Sequence, residues 1–355
     1  MTGFDLAKAP HVLTWELTRA CGLKCRHCRA NAIPKRNPRE LTLEEIRGVL
    51  TDIRTNFAVP PLMVFTGGDP VERDDLDAIL RASVAAGLHT AVSPSVTPLL
   101  TRPVLEKWAE IGVKTVSLSI DGATPEVHDG FRRMPGTFGA SIQRAHDVKA
   151  LGLGLQINTS LCGDTFPGLA RMGELVKELG ATSWEVFFVV PTGRGAVLPK
   201  ITPGETEEAL RFLAAYAQGV KFRVTAIAAP QYRRVTLETV PGAKRPSIPA
   251  IREAQGFVFI DHVGEVFPSG YLPVSAGNVR EQPLSRIYQD SELFRSLRDP
   301  ARLKGRCGVC EYKSICGGSR ARAFAVTGDL QAEDPACPHV PETEPDPSSP
   351  LKVVA

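Results

Sequence analysis

The chain has 355 residues, with 42 Lys and Arg against 39 Asp and Glu and a net charge of +3. So even a balance gives no basic field for nucleic acid and no polybasic run for a membrane surface. The N-terminus MTGFDLAKAP has neither a charged nor an apolar signal region, and no uncharged apolar run reaches the ~18 residues of a membrane span; a cytoplasmic protein of one or two domains is expected.

Residues 1–10 read as a lead-in. From 11 to 230, short runs rich in Val, Ile, Phe and Thr alternate with amphipathic segments. Strand candidates are 11–18, 61–67, 89–95, 115–121, 154–160, 183–190 and 222–227. Helix candidates are 41–57, 72–87, 103–112, 138–152, 166–180 and 203–217. The first opens with Thr42 and Glu45 at capping-box spacing, and four of the six stop on a glycine suited to a left-handed cap. Repeated β-α units imply parallel strands joined by right-handed crossovers, in an open sheet or a barrel. In either case ligands bind at the carboxyl ends of the strands.

Beyond 230 the alternation breaks. Residues 231–255 read as a linker or excursion, and 256–270 as a β-hairpin turning near Val263-Gly264. Short helices are expected at 283–289 and 291–299, within a C-terminal unit spanning 256–340. The Pro- and acid-rich tail 341–355 is expected to be disordered.

The eight cysteines fall at 21, 25 and 28, at 162, and at 307, 310, 316 and 337. Clusters in a chain without a secretory signal read as metal ligands rather than disulfides. CGLKCRHC follows the first strand. Three thiolates on one loop hold three irons of a four-iron cube and leave the fourth iron open, the open-position logic of catalytic metal sites. The competing reading is a structural zinc with His27 as fourth ligand, which would need a tight fold because His27 lies inside the C-x2-C interval. CGVCEYKSIC followed by Cys337 gives four ligands and a closed site. It lacks the paired knuckles of a zinc ribbon, so a four-iron cluster and a structural zinc are the two candidates.

CGLKCRHC resembles the C-x3-C-x-φ-C signature of the radical S-adenosylmethionine enzymes. The resemblance spans residues 10–340. It implies a partial (β/α)6 TIM-type barrel with a small C-terminal iron-sulfur cluster domain. Cys21, Cys25 and Cys28 would carry a four-iron cluster whose free iron chelates S-adenosylmethionine. Reductive cleavage would give a 5′-deoxyadenosyl radical that abstracts hydrogen from substrate. FTGGDP (65–70) is similar to the family's GGEP motif, which implies cofactor binding by Gly67, Gly68 and Asp69. SPSVT (93–97) and SIDG (119–122) imply contacts from Ser93, Ser95, Thr97, Ser119 and Asp121. HDGFRRMPGTF implies that Arg132 pairs with the cofactor carboxylate. Asn158 and Thr159 end the fifth strand, and VPTGRG places Val190 by the adenine. The alternative for His128-Asp129, a metal phosphohydrolase, lacks further His and Asp nearby.

The spacing of Cys307, Cys310, Cys316 and Cys337 resembles the SPASM/twitch auxiliary-cluster region. GEVFPSGYLP (264–273) supplies no further cysteine, so one auxiliary four-iron cluster is implied and two 4Fe–4S clusters in all. AGNVR and the 316–337 segment resemble the radical enzymes of heme d1 and alternative heme biosynthesis, which implies a tetrapyrrole substrate. Arg194, Arg233, Arg234 and Arg320 are candidates for pairing with propionates, Tyr232 and Tyr271 for proton donors or radical relays, and His262 for an axial ligand or general acid. Cys162 reads as a buried small hydrophobe. Peptide maturation is the second reading, and a non-enzymatic two-cluster electron carrier the third. The resemblance also implies a low-potential donor such as flavodoxin or ferredoxin, and neither nucleic acid nor membrane as partner.

Overall fold

The computed structural model describes residues 5–246 and 249–342. The tail expected to be disordered at 343–355, and residues 1–4 of the lead-in, lie outside the described residues.

Seven parallel strands stand side by side in chain order: β1 (Val12–Glu16), β2 (Leu62–Thr66), β3 (Thr90–Val92), β4 (Thr115–Ser119), β5 (Gly154–Leu161), β6 (Ser183–Phe188) and β7 (Arg223–Ile227). The crossovers carry α1 (Leu43–Asn56), α2 (Leu76–Ala85), α3 (Arg102–Ile111), α4 (Pro125–Arg132), α5 (Thr137–Ala150), α6 (Leu169–Glu178) and α7 (Pro203–Gln218). All seven strands and six of these helices were legible as candidates. Burial alternates along β5: Leu155, Ile157, Thr159 and Leu161 are buried, whereas Gln156, Asn158 and Ser160 are half-buried. Trp15 and Phe65, on paired residues of β1 and β2, stack at 6.2 Å, and Trp108 and Trp184 are fully buried in the same core. This is a partial TIM-type barrel.

Two helices before residue 250 escaped the sequence reading, as did two more in the cysteine-rich C-terminal part. α4 has charged residues through its length, and its buried side is His128, Phe131 and Arg132. The second is α8 (Tyr232–Thr239), inside the expected linker. Its buried face includes Arg234, which donates to Glu238 at 2.7 Å and pairs with Glu207. A helix whose core-facing residue is an arginine shows no apolar stripe.

The C-terminal part begins with β8 (Arg252–Glu253), β9 (Gly256–Ile260), β10 (Glu265–Phe267) and β11 (Gly277–Asn278). The expected hairpin is β9–β10, antiparallel, with Asp261 Oδ1 accepting from the Val263 and Glu265 amides at 2.9 Å each. β9 pairs in parallel with β1, Val12 opposite Phe257 and Trp15 opposite Ile260. The hairpin is thus part of the barrel sheet, which runs β11-β10-β9-β1 and on to β7 and stays open at both ends. Then follow α9 (Leu284–Asp290), α10 (Glu292–Arg298), α11 (Gly305–Val309) and α12 (Arg320–Thr327). Among the described residues no helix is long and apolar enough to cross a membrane.

The capping box read at Thr42 is present: Thr42 Oγ1 accepts from the Glu45 amide at 3.3 Å, and Glu45 Oε2 accepts from the Thr42 amide at 2.7 Å. Thr42→Ala should cost about 1 kcal/mol of stability and Thr42→Ser little. Urea unfolding followed by circular dichroism measures both; equal midpoints for Ala, Ser and wild type would refute the cap's contribution.

Candidate active site

Past β1 the chain crosses the carboxyl ends of the strands as a loop carrying Cys21, Cys25 and Cys28. Main-chain hydrogen bonds hold it from several sides. Thr18 O and Ala20 O accept from the Gly68 and Asp69 amides at 2.7 Å each. The Cys21 amide donates to Ile33 O and the Arg26 amide to Phe131 O, both at 2.9 Å, and the Arg194 amide donates to Cys28 O at 3.0 Å. Each sulfur accepts one N–H: Cys21 from Leu23 at 3.3 Å, Cys28 from Ala32 at 3.4 Å, Cys25 from Arg132 Nη1 at 3.7 Å. Sulfurs around one zinc at ~2.3 Å would sit about 3.8 Å apart. The three thiols are not drawn together within 4.8 Å as a set. That spread, with N–H groups aimed at every sulfur, fits a multi-iron cluster in which each thiolate holds its own iron.

The glycines of GGDP serve a close approach between two backbones. A Cβ on Gly67 would lie 2.6 Å from Thr18 O, and one on Gly68 would overlap the Ala20 carbonyl. The approach that excludes a side chain is thus to the cysteine loop. Asp69 is fully buried behind this turn and ties β2 to β3, accepting from Thr97 Oγ1 at 2.8 Å and from the Ser95 amide at 3.3 Å. Ser95 Oγ donates to Gly68 O at 2.7 Å. Burial raises the Asp69 pKa to about 6 despite those bonds.

Arg132, at the end of α4, pairs with Asp121 at 2.6 Å. Burial opposes ionisation of Asp121, but Arg132, His27, His128 and the Ser160 amide together outweigh it and the pKa falls to about 2. Asp121 also accepts from the Ser160 amide at 2.8 Å, and its own amide donates to His128 Nδ1 at 3.2 Å. Asp129 accepts from the Gly136 and Phe138 amides at 2.6 Å each and so anchors the start of α5. His128 and Asp129 are framework, not a metal site. His27 stacks on Phe131 at 4.6 Å, and burial lowers its pKa to about 4.

A cleft of ≈ 900 Å³ opens over this loop. Of the sequence-predicted residues it brings together Cys21, Cys25, Cys28, Gly67, Gly68, Ser93, Ser95, Ser119, Arg132 and Val190, with Arg194 and Tyr271. Asp69, Asp121 and Asn158 do not line it; Asn158 instead accepts from Gln156 at 2.9 Å. Arg29, Ser160, Phe187 and Val189 line it and were missed. Ser160 shares its half-buried parity with Gln156 and Asn158 on β5, so alternation along the strand already read at 154–160 carried the signal.

Residues 15–180 match the Radical SAM superfamily. An AdoMet-dependent heme synthase of Methanosarcina barkeri is 38% identical over 346 residues, covering 95% of this chain and 98% of the relative. This chain belongs to the radical SAM superfamily. A pre-heme d1 synthase of Dinoroseobacter shibae is 30% identical, covering 92% of this chain and 85% of that protein. Streptococcus suis SuiB bound to S-adenosylmethionine shares the fold at a TM-score of 0.74 and 16% identity, over 94% of this chain and 78% of that one. As a radical SAM enzyme the protein uses S-adenosylmethionine and a four-iron cluster, for which the three-cysteine loop is the fitting donor set.

The other four cysteines converge as well. Cys307, Cys310, Cys316 and Cys337 line one small pocket. N–H groups again meet the sulfurs: Tyr312 on Cys310, Gly318 on Cys316 and Asp334 on Cys307, each at 3.4 Å. Cys310, Glu311 and His339 bring their ligand atoms within 4.8 Å, with His339 bonded to Glu311 at 2.8 Å. Two of the four arginines proposed for propionates are elsewhere committed. Arg320 is fully buried and donates to Ala332 O at 2.6 Å, and Arg234 is held by Glu207 and Glu238. Tyr232 donates to Leu213 O at 3.3 Å outside the cleft, and His262 bonds Glu16 at 3.1 Å. Cys162 is buried against Phe131 and Leu198.

Two outcomes follow. Gly68→Ala should displace the cysteine loop and lower iron bound after anaerobic reconstitution; unchanged iron and unchanged S-adenosylmethionine affinity would contradict the close approach. Burial raises the pKa of Cys21 and of Cys337 to about 11, so both are protonated at neutral pH and must release protons to take iron. Iron uptake should therefore rise from about pH 7 to about pH 9, followed at the cluster absorbance; uptake falling with pH would exclude proton competition.

Proposed function

We propose that this radical SAM enzyme modifies side chains of a tetrapyrrole, and that Cys307, Cys310, Cys316 and Cys337 hold one auxiliary four-iron cluster. The observation that carries the substrate reading is the end-to-end likeness to a heme synthase, 38% identical over 98% of its length. The cleft chemistry supports it. Arginines line the cleft and, among the described residues, no Asp or Glu does, which suits a substrate carrying carboxylates.

When bound, the reduced cluster and S-adenosylmethionine supply hydrogen-atom abstraction from an unactivated C–H bond. The protein's part is placement. Gly67, Gly68, Ser93, Ser95, Ser119, Arg132 and Val190 form the cofactor's side of the cleft. Asp69 acts one step back, fixing Ser95 and Thr97. Asp121 holds Arg132 charged and aimed, so that its guanidinium meets the cofactor carboxylate. Phe187 and Val189 give the cleft an apolar wall that limits water around a reactive intermediate. Tyr271 also lines the cleft, beside Arg29, and burial raises its pKa, so it stays a proton donor at neutral pH. A low-potential carrier such as flavodoxin or ferredoxin supplies the electron. An auxiliary cluster with all four ligands from protein would transfer electrons or buttress the pocket rather than bind substrate.

Anaerobic reconstitution should give about eight irons per chain, falling to about four when Cys21, Cys25 and Cys28 are all changed to Ala. The wild type should release 5′-deoxyadenosine under reduction and the triple variant none. Titration with an iron tetrapyrrole bearing propionates should shift the Soret band. No spectral change and no thermal stabilisation would overturn the tetrapyrrole reading, and binding of a precursor peptide in its place would favour peptide maturation.

A further inference from the structure

Three arginines line the cleft, and they differ in what answers their charge. Arg29 donates to Glu16 at 3.0 Å, and Arg132 pairs with Asp121 at 2.6 Å. Arg194 has no carboxylate partner among the described residues. Its bonds run to neutral carbonyls of the cysteine loop: Nε to Cys25 O at 2.9 Å, Nη1 to Ala32 O at 3.4 Å, and its amide to Cys28 O at 3.0 Å. Nη2 is buried and has no partner. The preceding residue permits this approach, since a Cβ on Gly193 would lie 2.7 Å from Cys28 O, and Gly193 itself has φ +54°.

A half-buried cation whose Nη2 is buried and unmet, with no carboxylate partner among the described residues, is costly unless an anion completes the site. The loop that Arg194 grips is the one carrying Cys21, Cys25 and Cys28. A four-iron cube on three thiolates is net anionic and becomes more so on reduction. A neighbouring cation stabilises the reduced form more than the oxidised form, which raises the reduction potential. Arg132 touches the Cys25 sulfur directly, but Asp121 cancels its charge at short range. Arg194, held on the carbonyls of the cysteine loop, is left as the cleft arginine whose charge no ion pair offsets among the described residues.

We propose that Arg194 is the counter-charge of the radical-generating cluster: a positioning residue that clamps the cysteine loop by its carbonyls and raises the cluster's reduction potential. The inference rests on the reading of Cys21, Cys25 and Cys28 as ligands of that cluster. It assigns Arg194 to the cluster and withdraws it from the residues that would bind substrate carboxylates.

The test is a redox titration of the reconstituted two-cluster protein, following the paramagnetic signal that changes shape when S-adenosylmethionine is added. At the potential where the wild-type cluster is half reduced, Arg194→Gln should hold roughly tenfold less reduced than oxidised cluster, a shift of about 59 mV downward for a one-electron couple. Arg194→Lys should recover much of that shift, because it keeps the charge while losing the forked bonds to Cys25 and Ala32. Iron counts on both variants separate this inference from the reading beneath it: absence of a signal responsive to S-adenosylmethionine in the wild type would sink the cluster assignment itself. A Gln variant with full iron and an unmoved potential would overturn the counter-charge role. So would an unmoved potential with weakened S-adenosylmethionine binding, which would make Arg194 a cofactor contact.

Discussion

A loop of three thiols does chemistry only if it keeps one shape, and here the shape is imposed by main-chain hydrogen bonds from neighbouring strands. The residues before Cys21 lean on the Gly67-Gly68 turn after β2, the middle of the loop is bonded to Phe131 after β4, and its end is gripped by Arg194 after β6. Each such bond is worth only about 1 kcal/mol net. Together they remove the conformational freedom that an unsupported loop would lose on taking up a cluster. The barrel is in this sense a frame for one loop. The polar side chains that meet the cleft, Ser95, Ser119 and Ser160, arrive on strand ends the same frame has already fixed.

The C-terminal hairpin completes that frame from the other side. Because β9 lies beside β1, His262 reaches Glu16 at 3.1 Å, and Glu16 in turn accepts from Arg29 at 3.0 Å. Arg29 also rests over the Phe259 ring at 4.4 Å. A residue adjacent to Cys28 is therefore held by β1 and by β9 at once. Burial works against ionisation of Glu16, yet Arg29 and His262 bring its pKa below the ordinary value. The carboxylate stays charged and the triad keeps its ion pair at neutral pH. His262 serves this framework role and is not an axial ligand.

Much of this was legible before any coordinates. Period and caps marked every parallel strand and most helices, since each buries an apolar stripe. The cysteine spacings marked both metal-capable regions, because ligand geometry constrains spacing directly. What stayed hidden was carried by charge inside the core. α4 and α8 bury Arg132 and Arg234, and a hydrophobic pattern cannot announce a helix whose buried face is ionic. The same blindness affected the cleft. Asp69, Asp121 and Asn158 look like ligands of a cofactor as a string of polar residues after strands. In the fold, Asp69 and Asp121 satisfy other protein groups, and the residues that line the cleft include Phe187 and Val189, which read as ordinary strand apolars.

The two cysteine sites share one design and differ in one number. At each, N–H groups point at the sulfurs and an arginine is held by carbonyls: half-buried Arg194 by Cys25 and Ala32, buried Arg320 by Gly318, Leu330 and Ala332, the latter also reaching the Cys307 sulfur at 3.8 Å. A carbonyl-held guanidinium has its N–H groups met without its charge being neutralised by a direct ion pair. The number that differs is the count of thiols. Four would saturate the proposed auxiliary cube. Three leave one corner open, and the cleft lined by Gly67, Ser95 and Arg132 lies over that set.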